Sequence, residues 1–473
     1  MAHSFKTIAE SVAVARKRVF FLLLALGIFA LYLCSTIFRM QVSRYEYYEN
    51  KVIDQITTSS ALKAKRGTIY DSSMQVLANT ETVWRIFLSP VDIAKATQKE
   101  KKEYAQMIAK GLSEILHISE SSILKKANQN ATIDVTIAKE VNEETYKKIQ
   151  SFIAENNLAN MIHTEANTSR FYPKGDFCCH LLGFTGTDGQ GLFGLEYQYD
   201  SHLKGQDGYY VYAKDATGSE MPSGYISYIE PINGNSLVTT IDSYIQSQLE
   251  YQISEIEETF AVQNRVSGIV MDVDTGAILA MATTSAFDLN SPYELDTLYS
   301  QKLAASGLSE NSSDYKAYRN ELLYTMWQNK PVSEAYEPGS TFKIITVSAG
   351  LETNSVSLAN QYVCNGSHAI GGYHISCHKK TGHGTVTLAQ GLQQSCNPCM
   401  IMVSQSIGAS KFYEYVKAFG YLEKTGIDLP SEGASIFHTQ SGLGITELAT
   451  SSFGQRFKVT PLQQITADRK SVV

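Results

Sequence analysis

The segment from Glu337 to Lys343 reads Glu-Pro-Gly-Ser-Thr-Phe-Lys and places a serine and a lysine three residues apart at the predicted start of a helix. Pro338 and Gly339 interrupt the preceding structure, and the apolar residues that follow recur with the spacing of a buried helix. Residues at i and i+3 share a helix face, so the Lys343 amine can accept the proton of the Ser340 hydroxyl if burial lowers the pKa of the amine. The amides at the helix N-terminus also favour an oxyanion. The segment therefore predicts a nucleophile beside its own base.

The Ser-x-x-Lys spacing by itself does not identify a site, because the chain contains other copies of it. Serine and lysine are common and mostly exposed, so an isolated pair is most simply a pair of solvated side chains. The other copies are Ser60/Lys63, Ser122/Lys125, Ser201/Lys204 and Ser313/Lys316.

A second motif, Ser395-Cys396-Asn397, follows further along the chain. It lies between a helix-like stretch and Pro398. Asn397 followed by Pro398 is also an ordinary N-cap and first-turn pair for a helix from Cys399 to Ile407. Both roles can hold together, because a loop between two helices can direct a second serine and an amide toward Ser340.

The two motifs, in this order, resemble those of the penicillin-binding proteins and serine β-lactamases. Further segments narrow the resemblance to class B penicillin-binding proteins. Those that resemble the pedestal motifs are Arg66–Asp71, Arg170–Pro173, Gly191–Glu196 and Leu203–Gly205. Those that resemble the transpeptidase domain are Thr239–Asp242, Tyr336–Lys343, His383–Gly384, Thr425–Pro430 and Ser452–Gln455.

The resemblance implies an α/β (α+β) penicillin-binding transpeptidase fold with an N-terminal mixed α/β pedestal domain and one transmembrane helix. It implies a D,D-transpeptidase that cross-links peptidoglycan and binds penicillin. Ser340 would form the acyl-enzyme, Lys343 would take its proton, Ser395 would relay protons, and Asn397 would bind the donor peptide backbone. No cofactor is implied. The implied partners are peptidoglycan stem peptides, β-lactam antibiotics and membrane proteins of cell-wall synthesis such as a glycosyltransferase.

The third motif of this family, Lys-Thr/Ser-Gly on a strand, is expected further beyond Asn397 than the sequence extends. Lys380–Gly382 precedes the second motif, and Lys424–Gly426 falls in a family loop, so neither is expected to be the third motif. The terminal segment Asp468–Val473 resembles a translated sequencing adapter. We therefore expect a C-terminally truncated sequence that acylates poorly or not at all by itself, and we exclude the last six residues from fold reasoning.

Val19–Phe38 is a long apolar run without charge, sufficient to span a bilayer as one helix. Arg16, Lys17 and Arg18 precede it, which predicts a cytoplasmic N-terminus and an extracytoplasmic remainder. A cleaved signal peptide is the alternative, but the run exceeds the usual length and no small-residue cleavage site closes it. The expected organisation is a cytoplasmic tail (1–18), a membrane anchor (19–38), a pedestal (39–227), an incomplete transpeptidase domain (228–467) and an artefactual tail (468–473).

Local patterns predict several elements. Lys-rich polar stretches predict helices over Glu100–Leu116 and Glu140–Glu155. A helix is predicted over Asp242–Ile256. Two β-rich runs, Ser267–Val273 and Ala277–Thr283, predict a hairpin that turns at Asp274-Thr275-Gly276.

The seven cysteines do not form a disulfide framework at this length. Cys364 and Cys377 flank a Gly-rich, hairpin-like stretch and could pair if oxidised. Cys396 and Cys399 have redox or zinc spacing, although Cys396 also occupies the variable place in the second motif. A zinc site built from Cys377, His378 and His383 is the alternative. We expect no required metal.

Net charge of −7 carries no nucleic-acid signature. The alternatives to a transpeptidase are a D,D-carboxypeptidase or β-lactamase-like hydrolase, a β-lactam-sensing receptor, and a membrane-anchored, non-catalytic scaffold of the cell-wall synthesis complex. The long pedestal and the anchor disfavour the hydrolase. The lack of a cytoplasmic signalling domain disfavours the receptor, and the scaffold competes most seriously for the chain as it stands.

Overall fold

The computed structural model describes residues 26–44, 57–129, 132–213 and 227–472. Within these residues the strands are β1 (Thr57–Leu62), β2 (Ile69–Tyr70), β3 (Val76–Leu88), β4 (Val135–Val141), β5 (Ile162–Phe171), β6 (Gly208–Ala213), β7 (Ser227–Ile229), β8 (Leu237–Val238), β9 (Ser267–Met271), β10 (Ile278–Thr283), β11 (Gln361–Cys364), β12 (Ser367–Ile370), β13 (Tyr373–Ser376) and β14 (Gly384–Thr387).

After residue 89 the α-helices are α1 (Pro90–Glu100), α2 (Tyr104–Leu116), α3 (Glu120–Ala127), α4 (Glu143–Asn156), α5 (Cys179–Leu182), α6 (Gly194–Gln198), α7 (Asp200–Leu203), α8 (Ser243–Phe260), α9 (Thr297–Ala305), α10 (Ser313–Trp327), α11 (Lys330–Ser333), α12 (Lys343–Glu352), α13 (Leu388–Gln393), α14 (Asn397–Ile407), α15 (Ala409–Ala418), α16 (Ile445–Ser451) and α17 (Pro461–Val472). The structure also has 3₁₀ turns at Gly339–Phe342 and Gln440–Gly442.

The smaller of two compact units contains the described parts of residues 1–63 and 207–232. Its sheet is antiparallel, in the order β1-β6-β7. Residues 26–38 are helical and lead into a short π-helix, Arg39–Ser43. The predicted anchor Val19–Phe38 lies partly outside the described residues. No helix within the described residues has both the length and the apolar character needed to cross a membrane.

The larger unit, residues 64–206 and 233–473, contains the remaining elements. Its first sheet has the order β4-β3-β2-β8, with β5 also paired to β3. The long strand β3 pairs with β2, β4 and β5. Its buried residues Ile86 and Leu88 face a core formed with α2, α3 and α4. Strand β8 pairs in parallel with β2 and so joins this sheet to the segment that precedes α8.

Two predicted helices in this region differ from the structure at their starts. Lys101 adopts a left-handed backbone that ends α1 at Glu100. The predicted start of the helix Glu100–Leu116 was therefore wrong, and α2 begins at Tyr104 and ends at Leu116 as predicted. Strand β4 continues to Val141. Helix α4 therefore starts at Glu143, where the Asn142 side chain accepts a hydrogen bond from the Thr145 amide.

Three predicted motifs of the pedestal meet in one buried ion network. Glu196 has no exposed side-chain area, and its carboxylate oxygens lie 2.5 Å from Arg66 Nε and 2.6 Å from Arg170 Nε. Arg66 also contacts Asp200 at 2.6 Å. Charges removed from water need partners, so this network ties together segments that are distant in sequence.

The predicted hairpin and the helix before it are confirmed. Strands β9 and β10 pair antiparallel, and Asp242 caps α8 by accepting from the Tyr244 and Ile245 amides. Helix α8 lies against this hairpin, where Gln246 exchanges hydrogen bonds with the Met281 backbone.

The region that carries the site is built around two buried helices, α12 and α14. Met400 and Ile401 on α14 have no exposed area, and they pack in one core with Ile345 of α12. The ring of Phe342 also enters this core, with its centroid 4.9 Å from that of Phe457. Phe342 thereby fixes the start of α12 in the interior of the protein.

Candidate active site

Ser340 and Lys343 lie where a 3₁₀ turn passes into α12. Ser340 is in the turn and is exposed, whereas Lys343 is the first residue of α12 and is only 1% exposed. Phe342 lies between them and is buried. The local sequence therefore presents the serine hydroxyl to solvent and draws the lysine amine inward.

Close contact between two backbone segments, at Gly339 and Gly454, holds this turn in place. The Gly339 amide donates to the Gly454 carbonyl at 2.9 Å, and a Cβ on Gly454 would lie 2.0 Å from the Gly339 carbonyl oxygen. Thr346 donates from its hydroxyl to the Ser452 carbonyl at 2.8 Å. The predicted segment Ser452–Gln455 thus supports the turn that carries Ser340.

The second motif, Ser395-Cys396-Asn397, lies opposite the turn that carries Ser340. Ser395 occupies the loop between α13 and α14 with a left-handed backbone, φ 50°. Asn397 is the first residue of α14 and Cys396 occupies the N-cap position, so the expectation that Asn397 is the N-cap was wrong. The Asn397 side chain is instead held by Lys343, and its Nδ2 atom lies 3.3 Å from the Ser376 carbonyl oxygen.

The structure brings all four predicted site residues together. Lys343 Nζ lies 2.7 Å from the Ser395 carbonyl oxygen, 2.8 Å from Ser395 Oγ and 2.8 Å from Asn397 Oδ1. Ser395 Oγ lies 3.0 Å from Ser340 Oγ. Within the part of the chain that the structure describes, Lys343 and Ser340 share no direct hydrogen bond. The two are connected through Ser395.

Burial lowers the pKa of Lys343 to about 8, against the opposing effect of the Cys377, Cys396 and Cys399 thiols. An ammonium has three N–H donors, and the three oxygens around Nζ accept all of them. The site therefore holds the charged amine while reducing the free energy needed to neutralise it. A neutral Lys343 can accept a proton from Ser395.

The two Lys-Thr-Gly segments that are not expected to be the third motif, Lys380–Gly382 and Lys424–Gly426, lie in turns and have other hydrogen-bond partners. Thr425 is held by Glu432, which accepts from both its amide and its hydroxyl. The Gly382 amide donates to the Lys379 carbonyl. Within the described residues neither turn makes a hydrogen bond to Ser340, Lys343, Ser395 or Asn397.

Behind Ser395 the structure places four potential metal ligands together. The ligand atoms of Cys364, Cys377, His383 and Cys396 all lie within 4.8 Å of one another. The alternative zinc site considered from the sequence included Cys377 and His383, which belong to this group. It also included His378, which lies outside the group. Sequence reasoning missed the combination because Cys364 and Cys396 come to it from separate elements.

Residues 266–471 match the protein-family model of the penicillin-binding protein transpeptidase domain. Residues 61–239 match the family model of the penicillin-binding protein dimerisation domain. The chain belongs to the class B penicillin-binding proteins. The resemblance seen in the sequence motifs is thereby confirmed, and so is the mixed α/β transpeptidase fold with a dimerisation domain.

Among the relatives of this class B penicillin-binding protein is stage V sporulation protein D of Bacillus subtilis, 30% identical over 96% of this chain and 64% of that protein. Peptidoglycan D,D-transpeptidase MrdA of Acinetobacter baumannii is 25% identical over 97% of this chain and 67% of that protein. The crystal structure of penicillin-binding protein 2X from Streptococcus thermophilus matches with a TM-score of 0.66 and 26% identity, covering 87% of this chain and 59% of that one. The chain thus spans about two thirds or less of the length of these relatives.

Proposed function

We propose that this class B penicillin-binding protein is a serine D,D-transpeptidase that cross-links peptidoglycan. One observation carries the proposal: an exposed serine hydroxyl is connected through Ser395 to a buried lysine whose pKa is lowered to about 8. Such a chain supplies a nucleophile, a proton relay and a base in one place. The transpeptidase family match and the name of the Acinetobacter relative support the same reaction.

In the proposed acylation step, Ser340 Oγ bonds to the penultimate D-alanine carbonyl carbon of a stem pentapeptide. Its proton passes to Ser395 Oγ while the proton of Ser395 passes to neutral Lys343. The Ser340 amide is assigned one hydrogen bond to the resulting oxyanion. Cleavage of the C–N bond releases the terminal D-alanine, whose nitrogen takes a proton back along the same chain.

The acyl-enzyme is then resolved by an amine of a neighbouring stem peptide. Lys343 and Ser395 accept the proton of this amine and return one to Ser340 Oγ as the ester bond breaks. A β-lactam follows the first step only: the serine oxygen opens the lactam ring and the ester persists. This accounts for the proposed penicillin binding.

Asn397 is proposed to bind the donor peptide. Its Oδ1 accepts from Lys343, and one Nδ2 hydrogen is directed to the Ser376 carbonyl at 3.3 Å. An amide nitrogen has a second hydrogen. We propose that this hydrogen binds a backbone carbonyl of the substrate.

The proposed location is the outer face of the cytoplasmic membrane, with Val19–Phe38 as a single anchor and the N-terminus in the cytoplasm. The uncharged run and the basic residues before it support this topology. The pedestal, residues 39–227, would hold the transpeptidase domain, residues 228–467, away from the membrane. A glycosyltransferase that makes the glycan strands is the proposed protein partner.

The test of transfer is a product assay with the protein expressed from its complete reading frame. Stem pentapeptide donor and amine acceptor are supplied together, and cross-linked dimer and free D-alanine are both quantified. We expect dimer to form and Ser340→Ala to abolish it, while Ser313→Ala, which changes another Ser-x-x-Lys pair, leaves it unchanged. Release of D-alanine without any dimer would assign the site to a carboxypeptidase instead.

A further inference from the structure

The segment that follows Gly454 is fixed beside the turn that carries Ser340. The Gly454 carbonyl accepts from the Gly339 amide at 2.9 Å. Three residues further on, Phe457 is only 2% exposed, and its ring packs against that of Phe342 inside the protein. Gly339 and Phe342 lie on either side of Ser340 in the sequence. The position of this segment is therefore set relative to the nucleophile.

Arg456 lies within this segment in a backbone conformation that is unfavourable for an arginine. Its φ angle is 66°, in the left-handed region. Its amide donates to Glu337 Oε1 at 3.1 Å, which ties it to the residue three positions before Ser340. Strained positions of this kind cluster at functional sites. An arginine where glycine would fit without strain therefore indicates a function for its guanidinium.

The guanidinium of Arg456 is available to a ligand. Arg456 is exposed, and among the described residues its guanidinium makes no hydrogen bond, ion pair or ring contact. The other arginines of the larger unit each donate from the guanidinium to a protein oxygen. They are Arg66, Arg85, Arg170, Arg265, Arg319 and Arg469. Within the described part of this unit, Arg456 thus stands apart as an arginine that can bind an anion from outside the protein.

Lys458 adds a second cation to the same segment. Its backbone pairs with that of Ile436 through hydrogen bonds of 2.8 and 2.9 Å, so its position is also fixed. Lys458 is exposed, and its ammonium has no partner in the part of the chain that the structure describes. The nearby carboxylate of Glu337 accepts from the Arg456 amide and not from either cationic group. Two unpaired cations beside the serine favour a ligand that carries a carboxylate.

We propose that Arg456, assisted by Lys458, binds a carboxylate of the acyl-donor stem peptide and makes the site selective for anionic donors. This assignment rests on the proposed transpeptidase function. The carboxylate is one that stays on the donor when D-alanine leaves: the α-carboxylate of a γ-linked D-glutamate, or the side-chain carboxylate of a diaminopimelate at the third position. A planar guanidinium holds a carboxylate through two parallel N–H donors.

The acyl side of the donor is the place where these two cations meet no opposing requirement. The acceptor arrives on the leaving side with an amine, whose protonated form two fixed cations would repel. On the acyl side only the donor is present throughout the reaction. Arg456 does not touch the reacting atoms in this assignment, so it determines specificity and takes no part in bond making.

The test uses protein expressed from the complete reading frame and three variants. Arg456→Gly removes the guanidinium, keeps the amide that donates to Glu337, and relieves the backbone strain, because glycine accepts φ 66°. Arg456→Lys keeps the charge. Lys316→Gln is the control, because Lys316 is exposed on α10 and its loss removes a positive charge outside the segment. Thermal unfolding verifies that each variant is folded.

Four synthetic donors separate the two carboxylates. They combine D-glutamate or its α-amide at the second position with diaminopimelate or lysine at the third. Removal of the bound carboxylate should raise KM of the wild-type protein at least about tenfold, the scale of one hydrogen bond to a charged group. The value of kcat should not change, because this contact is the same in the ground state and the transition state. The position at which KM rises identifies the carboxylate.

The variants should remove this preference in a graded way. Arg456→Gly should raise KM for the preferred donor by the same factor and leave the four donors nearly equal. Arg456→Lys should retain part of the preference, because it keeps the charge but not the paired N–H donors. Lys316→Gln should behave as the wild-type protein does.

Benzylpenicillin separates specificity from support of the Ser340 turn. It has no carboxylate on the acyl side of its lactam, so Arg456→Gly should leave its acylation rate unchanged. Slower penicillin acylation in folded Arg456→Gly would overturn the proposal, as would equal KM values for all four donors in an active wild-type protein. An effect of Lys316→Gln equal to that of Arg456→Gly would also overturn it. A wild-type protein that neither forms dimer nor reacts with penicillin would instead contradict the transpeptidase function, and this assignment with it.

Discussion

Ser395 Oγ lies 2.8 Å from Lys343 Nζ, and the same oxygen lies 3.0 Å from Ser340 Oγ. The nucleophile and the base are therefore connected through a second hydroxyl, although they are only three residues apart in sequence. The i, i+3 spacing places Lys343 on the correct side of the helix, and its burial turns the amine toward Ser395. This arrangement favours proton transfer through Ser395 over direct proton transfer from Ser340 to Lys343.

The relay predicts the effects of removing its members. Lys343→Ala should slow penicillin acylation by at least about a hundredfold, the scale for loss of a positioned base. Ser395→Ala should slow it less than the loss of Ser340 does, because water can partly replace a hydroxyl. Stopped-flow acylation with a fluorescent penicillin measures both. An acylation rate unchanged by Ser395→Ala would remove Ser395 from the mechanism.

The pH dependence of acylation follows from the pKa of Lys343. Burial lowers this pKa to about 8, and only the neutral amine can accept a proton. The acylation rate should therefore rise about tenfold per pH unit below pH 8 and level off above it. Rates measured from pH 6 to pH 9, corrected for hydrolysis of the free β-lactam, test this. A flat profile would show that Lys343 is not the titrating base.

The network around Glu196 predicts a large loss of stability. Glu196→Ala leaves Arg66 and Arg170 buried without their shared carboxylate, which typically costs about 3–5 kcal/mol. Thermal and urea unfolding measure the change. Glu143→Ala is the control, because its pair with Lys147 is exposed and its loss should not shift the transition measurably. Equal effects of the two variants would contradict the role assigned to the network.

Gly454 and Gly408 have nearly equal φ angles but differ in the steric overlap that a Cβ would meet. Gly454 has φ 81° and Gly408 has φ 80°, but only at Gly454 would a Cβ overlap the backbone, 2.0 Å from the Gly339 oxygen. Gly408→Ala should cost about 1–3 kcal/mol of stability, because φ 80° with ψ 155° is a backbone conformation essentially restricted to glycine. Gly454→Ala should cost more and should also slow acylation by displacing Ser340. Unfolding and acylation are measured for both, and equal behaviour would contradict the support assigned to Gly454.

Local pattern was enough to predict the β9–β10 hairpin, helix α8 and the turn at Ser340, because periodicity and turn residues decide such elements. It failed at Lys101, where one left-handed residue ends a helix, and at Asn397, whose side chain binds Lys343 instead of capping its helix. The group of Cys364, Cys377, His383 and Cys396 lay beyond prediction for a different reason. Its geometry depends on how a strand pair, a hairpin and a helix N-terminus pack, which spacing along the chain does not encode.

The most direct test of the central claim is to locate the covalent penicillin adduct by mass spectrometry. Protein from the complete reading frame is incubated with penicillin, digested, and searched for the mass of the opened lactam. The account predicts one adduct, on the peptide that contains Ser340, and none in a folded Ser340→Ala variant. An adduct on Ser60, Ser122, Ser201, Ser313 or Ser395 in its place, or a folded wild-type protein that forms no adduct, would contradict it.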